Sequence, residues 1–134
     1  MHRFYCESKA EIPLPPKYTF AQAFNYLNPE TNSFYVLERN EQEYIQCGGS
    51  KSACTVEVRL ATEGGTSHVR FTIGHRTGAE ELVHIPMSDG GVFVLAREVL
   101  THREAIRLFA AFFAGEPFSM EYSLRARDPE SNEQ

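Results

Sequence analysis

The sequence predicts a single α+β domain, in which a mainly antiparallel sheet carries two helices packed on one face. Segments of alternating apolar and polar residues follow one another through the middle of the chain, as in paired strands. Two segments with apolar residues at helical spacing lie on either side of them. The chain has 134 residues, of which 42% are hydrophobic, and its 10 Phe and 6 Tyr can fill one core. We therefore expect one domain over residues 1–126 and a disordered polar tail over residues 127–134.

The first helix is predicted from Thr19, which can cap it, to Leu27. Its apolar residues recur at the spacing of one helix face and are Phe20, Ala23, Phe24 and Leu27. Residues 28–32, which contain Asn and Pro, end the helix. The alternating residues 33–39 and 43–47 then predict a hairpin around Asn40-Glu41.

The clearest strand signal is residues 54–60, where Glu57 and Arg59 share the polar face. Gly64-Gly65 supplies a tight turn into a return strand. Its inward residues are predicted to be Val69, Phe71 and Ile73, and its outward residues His68, Arg70 and Thr72. We expect a register with Glu57 opposite Arg70, because a shift by one pair would set Arg59 against Arg70.

The last third of the chain predicts two strands, a helix and a final strand. The strand at residues 82–87 contains Pro86 and so belongs at a sheet edge or strand end, and Gly90-Gly91 turns the chain into the strand at residues 92–95. Thr101 and Glu104 form a capping box for a helix through Ala114, and Gly115 suits its end. Alternation of Met120, Tyr122 and Leu124 with polar residues predicts the last strand.

Other segments place the chain in a broad class. Three prolines in residues 11–17 predict a stiff connector. The first residues lack the apolar stretch of a signal peptide, and no segment approaches the roughly 20 apolar residues of a membrane span, so we expect a cytoplasmic protein without membrane contact. Cys6, Cys47 and Cys54 are odd in number and are expected to be reduced thiols without an assigned role.

No motif predicts a reaction, a cofactor or a metal. The five His are scattered singly, so zinc-ligand spacing is absent, as is the G-x-S-x-G of a serine nucleophile. Gly48-Gly49-Ser50 lacks the Lys of a phosphate loop. A net charge of −5 disfavours nucleic-acid binding. We therefore expect a non-enzymatic protein with no catalytic residues, no cofactor, no metal and no nucleic-acid partner.

One pattern resembles a known family. Tyr44-Ile45-Gln46-Cys47-Gly48-Gly49 is followed by a short loop, by Thr55-Val56-Glu57-Val58-Arg59 and later by a helix. This is similar to bacterial immunity proteins paired with polymorphic toxins, including those of contact-dependent growth inhibition systems. The close part covers residues 42–75. The resemblance implies a small protein that binds a cognate toxin domain, such as a nuclease with a basic cleft, and neutralises it by direct occlusion. We expect a monomer or weak dimer.

Acidic side chains are predicted to form the contact surface for such a basic partner, because complementary charge speeds association and excludes wrong partners. The predicted contact residues are Glu38, Glu41, Glu43, Tyr44, Glu80 and Glu81. Tyr35 and Phe93 are further aromatic candidates if they prove exposed.

Two other functions fit the same sequence. A type III secretion chaperone is also small, acidic and α+β, and it would bind an extended effector segment in an apolar groove. A small α+β enzyme would enclose a deep pocket around a buried ionisable group such as His68 or Glu57.

Overall fold

The protein is described by a computed structural model over residues 2–14, 19–65 and 67–127. Part of the predicted proline-rich connector, from residue 15 onward, lies outside the described residues. So do the side chain of Thr19, which was expected to cap the first helix, and the predicted tail from residue 128.

The described chain forms a six-stranded antiparallel sheet, a separate two-stranded sheet and two α-helices, which confirms the predicted α+β class. In chain order the elements are β1 (Arg3–Cys6), α1 (Thr19–Phe24), β2 (Phe34–Glu38), β3 (Tyr44–Gly49), β4 (Cys54–Ala61), β5 (His68–His75), β6 (Leu82–Ile85), β7 (Val92–Leu95), α2 (His102–Ala114) and β8 (Tyr122–Ala126). The large sheet has the order β1-β2-β3-β4-β5-β8, and β6 pairs with β7 in the small one. Short 3-10 helices occupy Glu63–Gly65 and Ala96–Glu98.

The main core lies between the two helices and one face of the large sheet, and aromatic rings fill much of it. Phe24 of α1 stacks on Tyr35 of β2 at 4.7 Å between ring centroids, and Phe109 of α2 meets Phe24 edge-on at 4.9 Å. Phe4 of β1 packs edge-on against Phe20 at 5.1 Å. Offset and edge-on ring pairs stabilise a core beyond the apolar area that they bury.

Helix α2 begins and ends as its sequence predicts. The Thr101 side chain accepts a hydrogen bond from the Glu104 N–H, and the Glu104 carboxylate accepts from the Thr101 N–H at 3.0 Å. Gly115 ends the helix in the left-handed conformation at a φ of 74°. The last turn holds no basic side chain of its own, but Arg39 donates to the Phe112 carbonyl at 3.1 Å, with its guanidinium over the Phe112 ring.

The second face of the large sheet, called the outer face from here on, is half covered by the β6–β7 hairpin. Val94 and Ile85 of the hairpin are buried, and Met87 lies so close to Gly48 that a side chain there would collide with it. Thr72 of β5 does lie on the outer face, but it is 1% exposed, because the hairpin and Arg127 lie against it. Thr72 thus points outward from the core, as predicted, but the hairpin shields it from solvent.

The predicted register of β4 and β5 is wrong. Arg59 lies opposite Arg70, and Glu57 lies opposite Thr72. On the core face this register sets Val58 opposite Phe71 and pairs two further sets of apolar residues. Arg70 still reaches the Glu57 carboxylate diagonally at 3.8 Å, so the like-charged neighbours do not decide the pairing.

Several elements differ from the sequence expectation. Strand β1 was not predicted, because four residues carry too short an alternation to stand out before β2 pairs with them. Helix α1 ends at Phe24 rather than Leu27, and residues 25–27 follow in single turns with i to i−3 hydrogen bonds. Strand β6 ends at Ile85, before Pro86.

Candidate functional site

A row of polar side chains crosses five strands on the uncovered half of the outer face. The cross-strand partners run in one line, which is Arg3 on β1, Glu38 on β2, Tyr44 on β3, Arg59 on β4 and Arg70 on β5. Tyr5 and Glu57 lie in the adjacent row on the same face. We call these seven residues the open face, which borders the β6–β7 hairpin at Glu57.

Hydrogen bonds across the strands hold the open face in one arrangement. Glu38 accepts from Arg3 at 3.2 Å and from the Tyr5 hydroxyl at 3.0 Å. The Tyr44 hydroxyl donates to Glu57 at 2.6 Å. Burial and then the Glu57 carboxylate raise the pKa of Tyr44, and burial and then Glu38 raise that of Tyr5. Both phenols therefore stay neutral donors at physiological pH.

The open face carries more positive than negative charge, whereas the whole chain has a net charge of −5. Its three arginines are Arg3, Arg59 and Arg70, and its two carboxylates are Glu38 and Glu57. The Arg3 side chain is 56% exposed and that of Arg70 is 40% exposed. Arg59 is half-buried and forms no ion pair or hydrogen bond with another described residue. The fold thus gathers an arginine surface on an acidic protein.

The β6–β7 hairpin forms a raised border beside the open face. Its inner residues Val92 and Val94 enclose a cavity of about 80 Å³ against Gln46, Glu57 and Arg127. Its outer surface exposes Leu82 at 67% and Phe93 at 59%. An arginine and tyrosine platform therefore lies beside a ridge with an exposed aromatic ring.

The structure brings some of the predicted contact residues together and separates others. Glu38 and Tyr44 belong to the open face, and Glu41 is exposed in the adjoining β2–β3 turn. Glu43 turns away from it, because its carboxylate accepts from the Ala61 N–H at 2.8 Å and from Arg39 at 3.2 Å. These bonds lower the pKa of Glu43.

Glu80 and Glu81 lie at the other end of the sheet. Glu43 accepts a hydrogen bond from Ala61, which lies at the start of β5 because it pairs with His68. The Glu80-Glu81 loop follows the end of β5, and the Glu81 carbonyl accepts from the Ala96 N–H. Eight residues of strand separate the two ends by roughly 25 Å. The two acidic groups therefore lie at opposite ends of β5.

Of the aromatic candidates, Phe93 is exposed and Tyr35 is buried at 2% exposure. Sequence reasoning missed Arg3, Tyr5, Arg59 and Arg70 as site residues. The alternation in residues 54–60 did indicate that Glu57 and Arg59 point away from the core. No local signal brings them beside Arg3 and Tyr5, because that contact needs the pairing of five strands.

A second polar cluster joins β5, β8 and α2. Glu104 lies 2.7 Å from His75 Nε2 and accepts from the Tyr122 hydroxyl at 2.8 Å, and the His75 and Tyr122 rings are stacked at 5.6 Å. The same carboxylate caps α2. Burial and then Glu104 raise the pKa of Tyr122 to about 12. All the oxygens of this carboxylate are used in holding elements together, so the cluster anchors the helix to the sheet.

A third cluster fixes the segment after β7 to the outer face. Glu98 is fully buried and receives two hydrogen bonds from Arg125, at 2.7 and 2.8 Å, and one from the Leu95 N–H. Glu98 packs so closely on Gly74 that a Cβ at that position would lie 2.6 Å from it. The absence of a side chain at Gly74 thus allows this ion pair to form.

A cavity of about 780 Å³ between β1, β2 and α1 is lined mainly by apolar surface, and neither His68 nor Glu57 lines it. Its Asn32 is satisfied by Ser8 and the Tyr35 hydroxyl. Within the part of the chain that the structure describes, no group of three His, Cys, Asp or Glu is arranged to hold a metal ion. Likewise, none of the helices there has the length and apolar content needed to cross a membrane.

Comparisons of the chain with protein families, with curated proteins and with solved structures found no match.

Proposed function

We propose that this chain is an immunity-type protein, which binds a toxin domain through the open face and blocks it by occlusion without catalysing a reaction. The observation that supports this proposal is the row of ordered arginine, tyrosine and glutamate side chains across five strands. The function is the one that the resemblance implies, but the contact surface lies on the outer face of the sheet rather than on the predicted acidic groups.

The composition and order of the open face suit a protein partner. Arg and Tyr are enriched among the residues that contribute most to protein interfaces. Because cross-strand bonds already hold Tyr5, Tyr44 and Glu57, binding would cost little side-chain entropy. Four strand spacings make the row roughly 19 Å wide. That width suits the centre of an interface of about 800 Å² per partner, with the hairpin ridge at its rim.

Charge acts on two length scales in this proposal. The net charge of −5 attracts a basic partner over a distance, as the sequence predicts. Within the described residues Arg59 forms no ion pair, so the partner is expected to place an acidic or carbonyl oxygen opposite it at contact. Exposed Glu41 at the edge can then pair with a basic residue of the same partner.

The test begins with growth of a host that expresses the protein encoded beside this gene, with and without this chain. We expect protection from growth arrest and a complex that can be isolated. If no neighbouring product is toxic, or if this chain neither protects nor binds, the proposed function is wrong.

Matched variants then test the surface. Arg59→Glu is expected to weaken the complex by at least about tenfold, because it reverses the charge at the centre of the open face. Arg103→Glu makes the same charge change on exposed α2, on the other side of the sheet, and should bind as the unchanged chain does. Glu41→Lys should mainly slow association and reduce its salt dependence. Equal affinity for the Arg59 and Arg103 variants would reject the open face and leave the function standing.

A further inference from the structure

The two edge strands of the large sheet differ in whether another described segment hydrogen-bonds to their free side. At the β1 edge, residues 9–12 fold back, so that the Ile12 N–H donates to the Phe4 carbonyl at 2.8 Å and Lys9 exchanges hydrogen bonds with Cys6. At the other edge lies β8, and within the described residues no strand pairs with its far side. A free strand edge is a template for pairing with another strand.

The hydrogen bonds of β8 show which of its backbone groups face outward. The Arg127 N–H donates to Arg70 and the Glu121 carbonyl accepts from Arg76, so odd-numbered residues direct their backbone groups toward β5. The even-numbered residues therefore direct theirs to the free edge. The Tyr122 N–H is used by Ser119. The remaining outward groups are the Tyr122 carbonyl and both groups of Leu124 and Ala126.

Apolar side chains are exposed beside this edge. Leu124 is 39% exposed although it pairs with buried Ile73, and Met120 is 79% exposed. Next to them lies a cavity of about 390 Å³, lined by Phe118, Met120, Tyr122 and Leu124 among others. Such surface beside an open edge favours an occupant that is itself partly apolar.

We propose that the occupant is a second copy of this chain, whose β8 pairs antiparallel with this β8 about a two-fold axis at Leu124. Leu124 then exchanges hydrogen bonds with the partner's Leu124, and the Ala126 N–H donates to the carbonyl of the partner's Tyr122. By symmetry the two strands form four backbone hydrogen bonds. The six-stranded sheets of the two copies become one continuous sheet, and the exposed faces of the two leucines meet.

The charges on β8 complement one another in this register. Strand alternation places Glu121 opposite the partner's Arg127 on the outer face, and the symmetry makes the reciprocal pair. Arg127 uses one nitrogen on Thr72 and retains other N–H groups for a carboxylate. Ser123 faces the partner's Arg125, so no like charges lie directly opposite each other. A foreign strand would need this same pattern by coincidence, whereas the chain matches itself.

The experiment measures the mass of the full chain by sedimentation over a wide concentration range. We expect the mass to rise with concentration from that of one chain toward that of two. The affinity should be weak because the strand is short. Leu124→Asp should give a monomer at every concentration, and circular dichroism should show its fold retained.

A charge swap tests the register itself. Glu121→Arg alone and Arg127→Glu alone should each weaken dimerisation by about tenfold, and the double variant should restore it. Glu116→Arg, an equal charge change at an exposed residue before β8, should have no effect. A chain that stays monomeric throughout overturns the proposal, as does a dimer that none of the β8 variants affects.

Discussion

At the scale of single residues, the three cysteines show how the core sets chemical reactivity. Cys47 and Cys54 are fully buried neighbours on β3 and β4, and Cys6 lies on β1 beside Tyr35. A hydrogen bond with Cys54, together with burial, raises the pKa of the Cys47 thiol well above its ordinary value. The thiolate is the reactive form, so Cys47 should be inert in the folded protein.

We expect iodoacetamide to modify Cys6 before the other two, since Cys6 lines the 780 Å³ cavity and is 6% exposed. Cys47 and Cys54 should be modified only after denaturant unfolds the chain. Peptide mass spectrometry over time measures each rate separately. A Cys6→Ala variant serves as the control and should take up no label while folded. Labelling of Cys47 as fast as Cys6 would contradict this account of the core.

At the scale of elements, neighbouring residues of β7 have opposite environments. Val94 faces the large sheet and is 1% exposed, whereas Phe93 faces solvent. Buried Val94 and Ile85 attach the hairpin to the sheet, and Ser88 in its loop is hydrogen-bonded to Ser33 and Glu7.

Val94→Asp should therefore lower the free energy of unfolding by about 3 kcal/mol or more, because it buries an unpaired charge. Phe93→Asp should lower it by less than about 1 kcal/mol, since it removes only the contact with His84 across the hairpin. Chemical denaturation measures both. Similar losses for the two variants would show that the hairpin does not pack on the sheet through Val94.

Elements with a local signal were predictable from sequence, and those that depend on distant partners were not. Thr101 and Gly115 cap α2 through residues close to them in sequence. The alternation of β4 is visible within a segment of seven residues. The register of Arg59 against Arg70 depends on apolar pairs on the core face, which charge matching ignores. The predicted Glu38 and Tyr44 belong to the open face, but the arginines beside them come from strands far apart in sequence.

At the scale of the whole molecule, the carboxylates of Glu98 and Glu104 join separate elements, and the fold lowers the pKa of both. Burial alone would raise the pKa values of Glu98 and Glu104. Hydrogen bonds from Arg125 and Leu95 to Glu98, and from His75, Thr101 and Tyr122 to Glu104, outweigh burial and leave both pKa values below the ordinary 4.5. The folded chain therefore binds fewer protons than the unfolded chain in acid.

The stability from these groups is fully present above about pH 4.5 and is lost as the pH falls through the folded-state pKa values. We expect the melting temperature to fall steeply below that pH. Glu104→Gln should lower it at neutral pH and make its decline in acid shallower, because one titrating group is gone. Scanning calorimetry from neutral pH to pH 3 measures both effects. A variant with an unchanged acid slope would show that Glu104 is not among the groups responsible.

The contact between Arg39 and the end of α2 has a consequence for the order of folding. The guanidinium that neutralises the carbonyl end of this helix comes from a residue 73 positions earlier in the chain. Excised as a peptide, the segment would keep its N-terminal cap and lack this counter-charge. The final turn of the helix should consequently become stable only after the β2–β3 hairpin has docked, so that nucleation proceeds from the end that Thr101 caps.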